Sequence, residues 1–387
     1  MHRESICKGF IYVGQFPPPL GGATLWSERF YNSELLQSFF NKRVFKINTS
    51  RGKLKNKRKI SLCTILEDIV LAIKTYILVI YYSIVNPSNC FMFGVTNRGV
   101  LYQVLPLLIF LKLARKIVFV KIFGGDFDIF YQSLPNIIRK ITRYLMTKID
   151  VLLPETHRLE SFFLDLGLSS ENCWYLPNFY KSMGRQPSKK EIMKRCRKKI
   201  KFLYLSHISE GKGVFYLLKA SEKLYRKGIH QFELHLYGPI FEDIKKRFKK
   251  TLANLPNNIK YCGIIPNDRI YSVLQHYNAM VFPSYLGEGY PTAVLEAMSC
   301  GLPVIATKSD ISGVREIVID GFNGLYVKPK DIDSLASAME YLIKDEDLLK
   351  KLSTNAKMYS LYFSEDVVIS NFIKKLRRKE SRKKKQF

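Results

Sequence analysis

The chain has 387 residues, 47% of them hydrophobic, and a formal net charge of +29. This length favours two domains, each with its own apolar core. Seven cysteines are scattered without a C-x-x-C pair, which argues against a disulfide framework and a zinc site and fits a reducing cytoplasm. Lys8 to Gly14 leads directly into an apolar strand, so we expect no signal peptide and a cytoplasmic protein.

The positive charge is concentrated in three segments, Lys42–Lys59, Lys181–Lys201 and Lys374–Lys385, which hold nearly all of the excess. No RNA- or DNA-binding motif accompanies them, so we expect no nucleic-acid partner. An anionic membrane surface fits better, because each basic residue near the lipid contributes about 1 kcal/mol of attraction. We therefore expect a peripheral protein on the inner face of the cell membrane. A solvated linker and tail is the alternative for these segments.

The first half of the chain alternates short apolar runs with helical patterns, which is typical of a doubly wound parallel sheet. The runs that predict strands are Gly9–Val13, Val44–Ile47, Cys90–Phe93, Ile117–Ile122 and Ile149–Leu153. The segments that predict helices are Trp26–Phe40, Ile69–Val85 and Val100–Ala114. Ile69–Val85 is short for a membrane span and contains Lys74, which is costly at the bilayer centre. We predict a buried or half-buried helix there, with a helix that dips into the membrane as the alternative.

The second half repeats this alternation. Its predicted strands are Phe202–Ser206, Phe232–Tyr237, Ile259–Ile265, Ala279–Phe282 and Val304–Thr307. Its predicted helices are Val214–Arg226, Pro266–His276, Thr292–Ser299, Asp331–Tyr362 and Glu365–Arg378. The sequence thus predicts a first domain at 1–180, a basic linker at 181–201, a second domain at 202–362, and a helix with a basic tail at 363–387.

The stretch Pro283–Gly301 joins the strand Ala279–Phe282 to the helix Thr292–Ser299 through a glycine-rich turn. Thr292 can cap the helix N-terminus and Gly301 can close its C-terminus. A strand, a glycine-rich turn and a helix N-terminus in succession form a geometry that binds anions. Glu288 and Glu296 are eight residues apart, one in the turn and one in the helix.

This stretch resembles the signature of retaining glycosyltransferase family 4, whose pattern is P-S, E-G-F-G, four residues, then E-A-M-A-x-G-x-P-V. The matching positions are Pro283, Ser284, Glu288, Gly289, Glu296, Ala297, Met298, Gly301, Pro303 and Val304. Tyr290-Pro291 stands where the family usually has Phe-Gly. The resemblance is strong over Lys201–Val327 and weak over Gly9–Asn178.

The resemblance implies an α/β protein of the GT-B fold. Two doubly wound Rossmann-like domains then face a cleft, an N-terminal acceptor-side domain and a C-terminal nucleotide-sugar-binding domain, and the C-terminal helix crosses back to the first domain. It also implies a metal-independent enzyme without a cofactor, which moves a sugar from a nucleotide diphosphate sugar, most simply a UDP-sugar, to a hydroxyl with retention of configuration.

Family positions imply a role for each site residue. Lys212 is the cation for the diphosphate, and Glu288 contacts the donor sugar and steadies positive charge near its anomeric carbon, so these two are the catalytic candidates. Glu296 accepts hydrogen bonds from the ribose hydroxyls. The donor-binding positions are Gly22, Ser206, His207, Lys212, Gly263, Glu288, Gly289, Tyr290, Pro291, Thr292 and Glu296. The acceptor-side positions are Gly21, Gly124, Gly125 and Asp126.

Two further departures from the family pattern lie in this site. Ser206 and His207 stand where Gly and Arg are expected, so one phosphate-binding cation is missing or is replaced by an imidazole whose charge depends on pH. Phe123 stands where the family has His. Asp126-Phe-Asp128 spells the D-x-D metal motif of another glycosyltransferase fold, but we interpret Asp126 as an acceptor contact and predict no metal site.

Charge and hydropathy indicate the class of the acceptor. Basic segments and apolar helices favour a membrane-borne, lipid-linked saccharide as the acceptor. The composition, rich in Lys, Ile, Asn, Phe and Tyr, fits an enzyme of bacterial surface polysaccharide assembly. Two alternatives stay open: a nucleotide-sugar epimerase of the same fold, and a non-catalytic, membrane-associated protein that binds a nucleotide sugar.

Overall fold

The computed structural model describes residue 7 and residues 9–19, 21–50, 62–86, 88–181, 187–196 and 199–383, without the side chains of 62–65, 68 and 383. The chain divides into two compact units, one formed by Met1–Asn178 with Glu365–Phe387 and the other by Phe179–Ser364. The basic segments predicted from the sequence lie partly outside the described residues, at 51–59, 182–186, 197–198 and 384–385.

The first unit contains a five-stranded parallel sheet. Its strands are β1 (Phe10–Gly14), β2 (Val44–Asn48), β3 (Cys90–Thr96), β4 (Ile117–Phe123) and β5 (Val151–Pro154), in the order β2-β1-β3-β4-β5. β1 and β3 are buried almost throughout, because helices cover both faces of a parallel sheet. Continuous apolar runs therefore predict these strands correctly.

Helices connect the strands of the first unit. They are α1 (Gly22–Tyr31), α2 (Glu34–Phe39), α3 (Leu62–Val85), α4 (Asn97–Gly99), a π-helical turn (Val100–Val104), α5 (Leu105–Leu113), α6 (Phe127–Gln132), α7 (Asn136–Met146), α8 (His157–Asp165) and α17 (Glu365–Lys383). The predicted helix Trp26–Phe40 is two helices, since Asn32 ends α1 and Ser33 precedes α2.

α3 corrects one expectation. The apolar run Ile69–Val85 does form a helix, but most of its large side chains are exposed: Val70 is 63%, Ile77 61% and Ile84 74% accessible. Among the described side chains of α3, a narrow stripe that includes Val79 packs into the core. Among the described residues, the structure contains no helix with the length and hydropathy to cross a membrane.

The second unit contains a six-stranded parallel sheet of order β11-β10-β9-β6-β7-β8. Its strands are β6 (Ile200–Leu205), β7 (Phe232–Tyr237), β8 (Ile259–Tyr261), β9 (Ala279–Phe282), β10 (Val304–Thr307) and β11 (Gly324–Val327). Its helices are α9 (Lys189–Cys196), α10 (Val214–Arg226), α11 (Lys245–Ala253), α12 (Ile270–Leu274), α13 (Thr292–Ser299), α14 (Val314–Ile317), α15 (Ile332–Lys344) and α16 (Glu346–Ser360). Short 3₁₀ turns occupy Glu210–Lys212, Asn267–Arg269 and Leu361–Phe363.

Two segments of the second unit differ from the sequence expectation. The predicted linker 181–201 includes α9, whose Ile192 and Cys196 lie in the hydrophobic core of this unit. The predicted helix Asp331–Tyr362 is broken at Asp345, which leaves helical geometry and accepts a hydrogen bond from the Leu348 N–H at 2.8 Å. The capping propensity of aspartate therefore outweighs the helical pattern on both sides of it.

A disulfide joins Cys7 to Cys90, with 5.6 Å between their Cα atoms. The scattered cysteine spacing does not predict this pair, since 83 residues separate the two positions. The parallel pairing of β1 with β3 brings the residues before β1 close to the first residue of β3. The expectation that the scattered cysteines are reduced, as in a reducing cytoplasm, does not hold for Cys7 and Cys90.

The C-terminal helix α17 packs in the first unit. Phe372 lies in its middle, and the ring centroids of Phe30, Phe119 and Trp174 are 5.6, 6.3 and 6.4 Å from that of Phe372. The ring is buried. α17 also contacts α2.

We predict that Phe372→Ala destabilises the first unit by about 3–5 kcal/mol, because it removes a buried aromatic ring and leaves a cavity. Chemical denaturation measures this loss. Lys374→Ala, an exposed position on the same helix, is the matched control and is expected to stay within about 0.5 kcal/mol of the native protein. Equal stability of both variants would contradict the packing of α17 described above.

Candidate functional site

The second unit has a topological switch point between β6 and β9. These strands are neighbours, yet the chain leaves β6 towards β7 and β8 and leaves β9 in the opposite direction, towards β10 and β11. The loops that follow two such strands diverge and leave a crevice at the carboxyl end of the sheet, where ligands bind in open α/β sheets. The loop after β6 carries Lys212, and the loop after β9 carries Glu288.

Lys212 and Glu288 are in direct contact in this crevice. The Nζ atom of Lys212 donates to Oε1 of Glu288, and both side chains are less than one-fifth accessible. The Ser284 hydroxyl donates to the same carboxylate oxygen at 2.6 Å. The two predicted catalytic candidates are therefore joined across 76 positions of sequence. Ser284, which sequence analysis identified only as a motif match, is a third member of the group.

Gly213 allows this contact sterically. Its φ is +74°, and an added Cβ would lie 2.1 Å from the carbonyl oxygen of Pro283. The loop after β6 and the start of the loop after β9 therefore touch backbone to backbone at Gly213 and Pro283. A side chain at this position would force the two loops apart.

The helix α13 begins at Thr292, as the sequence predicts, but Thr292 does not cap it. Pro291 occupies the cap position and no side chain makes a cap hydrogen bond. The Thr292 hydroxyl is buried and, within the part of the chain that the structure describes, has no hydrogen-bond partner. Gly301, with φ +73°, follows the helix and its N–H donates to the Met298 carbonyl, in keeping with its predicted closing role.

Glu296 lies on α13 and is only 3% accessible. Gly289 is half-buried in the loop before the helix. Tyr290 is buried, and its hydroxyl donates to Oε2 of Glu316 at 2.7 Å while its ring packs against Phe363. The Tyr290 side chain thus fixes the loop to α14, and only its backbone is available for a donor contact.

The remaining donor-side candidates lie at the ends of β6 and β8. Ser206 follows β6, and its N–H donates to the Tyr237 carbonyl at 3.1 Å. The imidazole of His207 is half-buried 5.4 Å from the ring of Phe241. Gly263 has φ +86° and open space where a Cβ would be, and its carbonyl accepts from the Gly238 N–H. These positions lie at the carboxyl edge that also carries Lys212.

The first unit has its own switch point between β1 and β3. Gly21 and Gly22 form the start of α1 just after β1, and the Gly21 N–H donates to the Thr24 hydroxyl at 2.9 Å. An added Cβ on Gly22 would meet no atom within 4 Å, and one on Gly21 would meet only the Thr24 hydroxyl at 3.8 Å. The fold of this unit therefore does not itself require glycine at 22.

The loop after β4 is held by charged side chains. Gly124 has φ +109° and its N–H donates to Oε1 of Glu155 at 2.8 Å. The Gly125 carbonyl accepts from Arg158, whose guanidinium also pairs with Asp128 at 2.5 Å. Asp126 accepts a hydrogen bond from the Asn97 amide at 2.8 Å.

The two carboxylates of the D-x-D triplet thus contact different partners, Asn97 for Asp126 and Arg158 for Asp128. Over the described ranges, no group of three or more His, Cys, Asp or Glu side chains has the arrangement of a metal site.

A buried lysine lies in β4, the strand that precedes this loop. Lys121 is fully buried in β4, its Nζ donates to the Leu176 carbonyl at 2.5 Å, and it lies over the rings of Trp26 and Phe123. Burial lowers the pKa of Lys121 to about 8, and the charge of Glu155 opposes that shift. Sequence reasoning missed Lys121 and Glu155, although a single lysine within an apolar strand is a signal that it could have used.

A cavity of about 540 Å³ adjoins the same loop. It combines apolar side chains with one cation and one carboxylate. Its lining includes Phe123, Ile129, Phe130, Arg98 and Asp126. Arg98 follows β3 and was not predicted from the sequence, because it belongs to no motif.

We predict that Gly213→Ala destabilises the second unit by several kcal/mol, since it combines an unfavourable φ with a backbone clash. Gly228→Ala is the matched control at the other end of α10. Its φ is +84° but no atom lies within 4 Å of the added Cβ, so we expect a loss of only about 1 kcal/mol. Thermal unfolding measures both, and equal losses would contradict the proposed loop contact.

The chain is similar to known glycosyltransferases in sequence and in structure. Residues 186–359 match the sequence model of the family described as Glycosyl transferases group 1. An uncharacterized glycosyltransferase of Methanocaldococcus jannaschii is 25% identical over 227 residues, which cover 57% of this chain and 56% of that protein. The N,N'-diacetylbacillosaminyl-diphospho-undecaprenol alpha-1,3-N-acetylgalactosaminyltransferase of Campylobacter jejuni is 33% identical over 105 residues, 27% of each chain. The chain thus matches about half or less of the length of these two relatives.

The likeness in structure extends over nearly the whole chain. The Anabaena protein HepE in complex with UDP has a TM-score of 0.70 at 16% identity, and the match covers 96% of this chain and 100% of that one. At this identity the likeness defines the fold alone. The protein has the GT-B fold of glycosyltransferases, with two Rossmann-like units, and the segment that matches the glycosyl transferases group 1 model lies within the second unit.

Proposed function

We propose that this protein is a retaining enzyme of glycosyltransferase family 4 that moves a sugar from a UDP-sugar to a hydroxyl of a lipid-linked saccharide, in bacterial surface polysaccharide assembly. The observation that carries the proposal is the contact between Lys212 and Glu288 at the switch point of the second unit, beside the start of α13. A cation, a carboxylate and a helix N-terminus are the groups that a nucleotide diphosphate sugar requires at its reacting end.

The diphosphate is the leaving group, so negative charge grows on its oxygens as the bond to the anomeric carbon breaks. Lys212 and the N–H groups of the first turn of α13 stabilise that charge. The buried hydroxyl of Thr292 gives further support, because a phosphate oxygen would satisfy its unmet hydrogen bond. The acceptor hydroxyl attacks from the same face, and its proton passes to the departing phosphate.

The two glutamates act on different parts of the donor. Glu288, held by Ser284 and Lys212, contacts the sugar hydroxyls and stabilises the positive charge that develops at the anomeric carbon. Glu296, on α13, accepts hydrogen bonds from the ribose diol. Neither residue forms a covalent bond with the sugar, and the proposed reaction uses no metal and no cofactor.

Three observations support the donor and acceptor classes. HepE, a protein of the same fold, binds UDP. The Campylobacter relative is named for transfer to a diphospho-undecaprenol-linked sugar. The cavity of the first unit places Arg98 beside apolar side chains, a combination suited to a phosphate attached to a lipid. A membrane-borne acceptor also accounts for the net charge of +29, which attracts the protein to the inner face of the cell membrane.

We predict that Lys212→Ala lowers transfer by about 10²–10³-fold, mainly in kcat, because its charge is needed most as the phosphate leaves. Lys219→Ala, which removes an exposed lysine of α10 in the same unit, is the matched control and is expected to leave transfer unchanged. The measurement is sugar transfer from UDP-sugars by the purified protein. Glu296→Gln preserves volume and is expected to raise the KM for the donor by about tenfold or more.

Full activity in both variants would refute the site. A product with inverted anomeric configuration would refute retention. An epimerised sugar formed from the donor alone would favour an epimerase, and tight UDP binding without any turnover would favour a non-catalytic binding protein.

We predict that Gly22→Ala separates activity from stability. The added methyl group meets no atom of the unit and alanine favours the helix, so stability is expected to rise by about 0.5–1 kcal/mol. Transfer is expected to fall by about 100-fold, because the methyl group displaces a ligand that approaches the start of α1. Thermal unfolding and transfer assays measure the two effects. A variant that is both more stable and fully active would show that no ligand approaches Gly22.

A further inference from the structure

α3 has an amphipathic pattern opposite to that of an ordinary surface helix. The side that packs on the first unit buries Thr75, Val79 and Ser83, two of which are polar. The outer side carries large apolar residues that are 37–74% accessible. They are Leu66, Ile69, Val70, Ile73, Ile77, Ile80, Tyr81, Ile84 and Val85. A surface helix normally directs such residues to the core, so this exposed side requires an apolar environment outside the protein.

The exposed side of α3 continues onto neighbouring helices. The connections from β2 to β3, β3 to β4 and β4 to β5 all proceed across the sheet in one direction, and right-handed crossovers put their helices on one face of it. Tyr76 of α3 donates to the Tyr102 carbonyl of the π-helical turn, and α5 packs against α7. Large apolar residues are exposed here too, namely Tyr102, Ile109, Leu113, Ile137, Ile138, Ile141 and Tyr144. We call the outer surface of α3, the π-helical turn, α5 and α7 the apolar face.

The charge around the apolar face has one dominant sign. α7 contains Arg139, Lys140 and Arg143 and no acidic residue, and Lys148 follows it. Lys74 is exposed on α3. The acidic groups are fewer. Among the described side chains, Glu67 is exposed on α3 and Asp150 is paired with Lys112 at 2.7 Å, and Asp68 follows Glu67 in the sequence of α3.

This combination selects the occupant. An apolar area of this extent on a soluble protein marks an interaction site, and the surrounding cations exclude a positively charged partner. A second copy of this chain also carries +29, so two apolar faces would bring like charges together. An anionic lipid surface supplies both the apolar interior and the opposite charge, and tyrosines favour the boundary between lipid and water.

We propose that the apolar face docks on an anionic membrane, with α3 lying in the plane of the headgroups and its isoleucines in the acyl region. This proposal rests on the proposed function, because a lipid-linked acceptor is the reason for the enzyme to dock on a membrane. It differs from attraction by the basic segments alone, because buried isoleucines bind independently of salt whereas surface charges are screened.

The test is sedimentation of the full chain with vesicles of phosphatidylglycerol and phosphatidylcholine, and with phosphatidylcholine alone. Binding to the anionic vesicles is expected to weaken with salt but to level off at a salt-resistant fraction. Ile77→Ser/Ile84→Ser is expected to lose that fraction and to lower the partition coefficient at least about tenfold. Lys140→Glu/Lys148→Glu is expected to lower binding at low salt and to leave the salt-resistant fraction in place.

The matched control is Tyr341→Ser/Met358→Ser, which makes the same kind of change at exposed positions of α15 and α16 and is expected to bind as the native chain does. Unchanged binding of Ile77→Ser/Ile84→Ser would overturn the proposal. A second result would also overturn it: sedimentation equilibrium shows that the native chain is a dimer, and the Ile77→Ser/Ile84→Ser variant is a monomer that still binds vesicles. The apolar face would then join two copies of the chain.

A thermal shift with UDP, measured on the same variants, keeps the two proposals apart. Loss of vesicle binding with a native UDP shift supports docking and leaves the donor site intact. Absence of any UDP shift or transfer in the native chain, with vesicle binding that still depends on Ile77 and Ile84, would refute the proposed function and not the docking.

Discussion

The parallel pairing of β6 with β9 is the constraint on which the candidate site depends. The strands pair at only two positions, Phe202 with Ala279 and Leu203 with Met280. This contact nevertheless joins the two halves of a parallel sheet across which successive strands are added in opposite directions. It sets the loops after both strands side by side, and Gly213 then lets the backbones touch. The strand pairing brings Lys212 and Glu288 within reach of each other, and their opposite charges then form the ion pair.

The ion pair between Lys212 and Glu288 has a chemical consequence. A lysine paired with a carboxylate has no net charge as a pair, so neither of these two half-buried groups is an uncompensated charge. In the proposed reaction, a diphosphate beside Lys212 would bring its own negative charge and compete with Glu288 for the ammonium group. The Glu288 carboxylate would then be free to face the positive charge that develops on the sugar, while its hydrogen bond from Ser284 is retained.

The departure from the family pattern at Tyr290 has a structural reason. The side chain is buried, bonds to Glu316 and packs on Phe363, so a larger residue than the usual phenylalanine fixes α14 to the donor loop. Pro291 then occupies the cap position of α13 and leaves Thr292 without the capping role that sequence reasoning predicts. The Thr292 hydroxyl is buried at the start of α13 and makes no cap hydrogen bond.

Sequence patterns predict the strands well because a buried parallel strand is a continuous apolar run, as in β3 and β4. They predict that Lys212 and Glu288 lie in loops that follow strands and that Glu296 lies on the next helix. The structure has these three residues in those elements. They do not predict the pairing of Cys7 with Cys90 or of Asp128 with Arg158, since such contacts depend on strand order. They also cannot distinguish the two sides of α3, because a run of isoleucines shows only that an apolar environment is needed.

The exposed side of α3 is the part of the molecule that folding does not explain. Burial of Val79 and its neighbours contributes to the stability of the first unit, whereas Ile77 and Ile84 remain largely in water in the folded protein and contribute little. Hydrophobic burial stabilises a fold only through the area that it removes from water. Replacing these isoleucines by polar residues would therefore leave the unit folded, and their presence has to be accounted for by something outside it. In the proposed docking, a lipid surface removes that area from water, and the basic residues of α7 favour an anionic one.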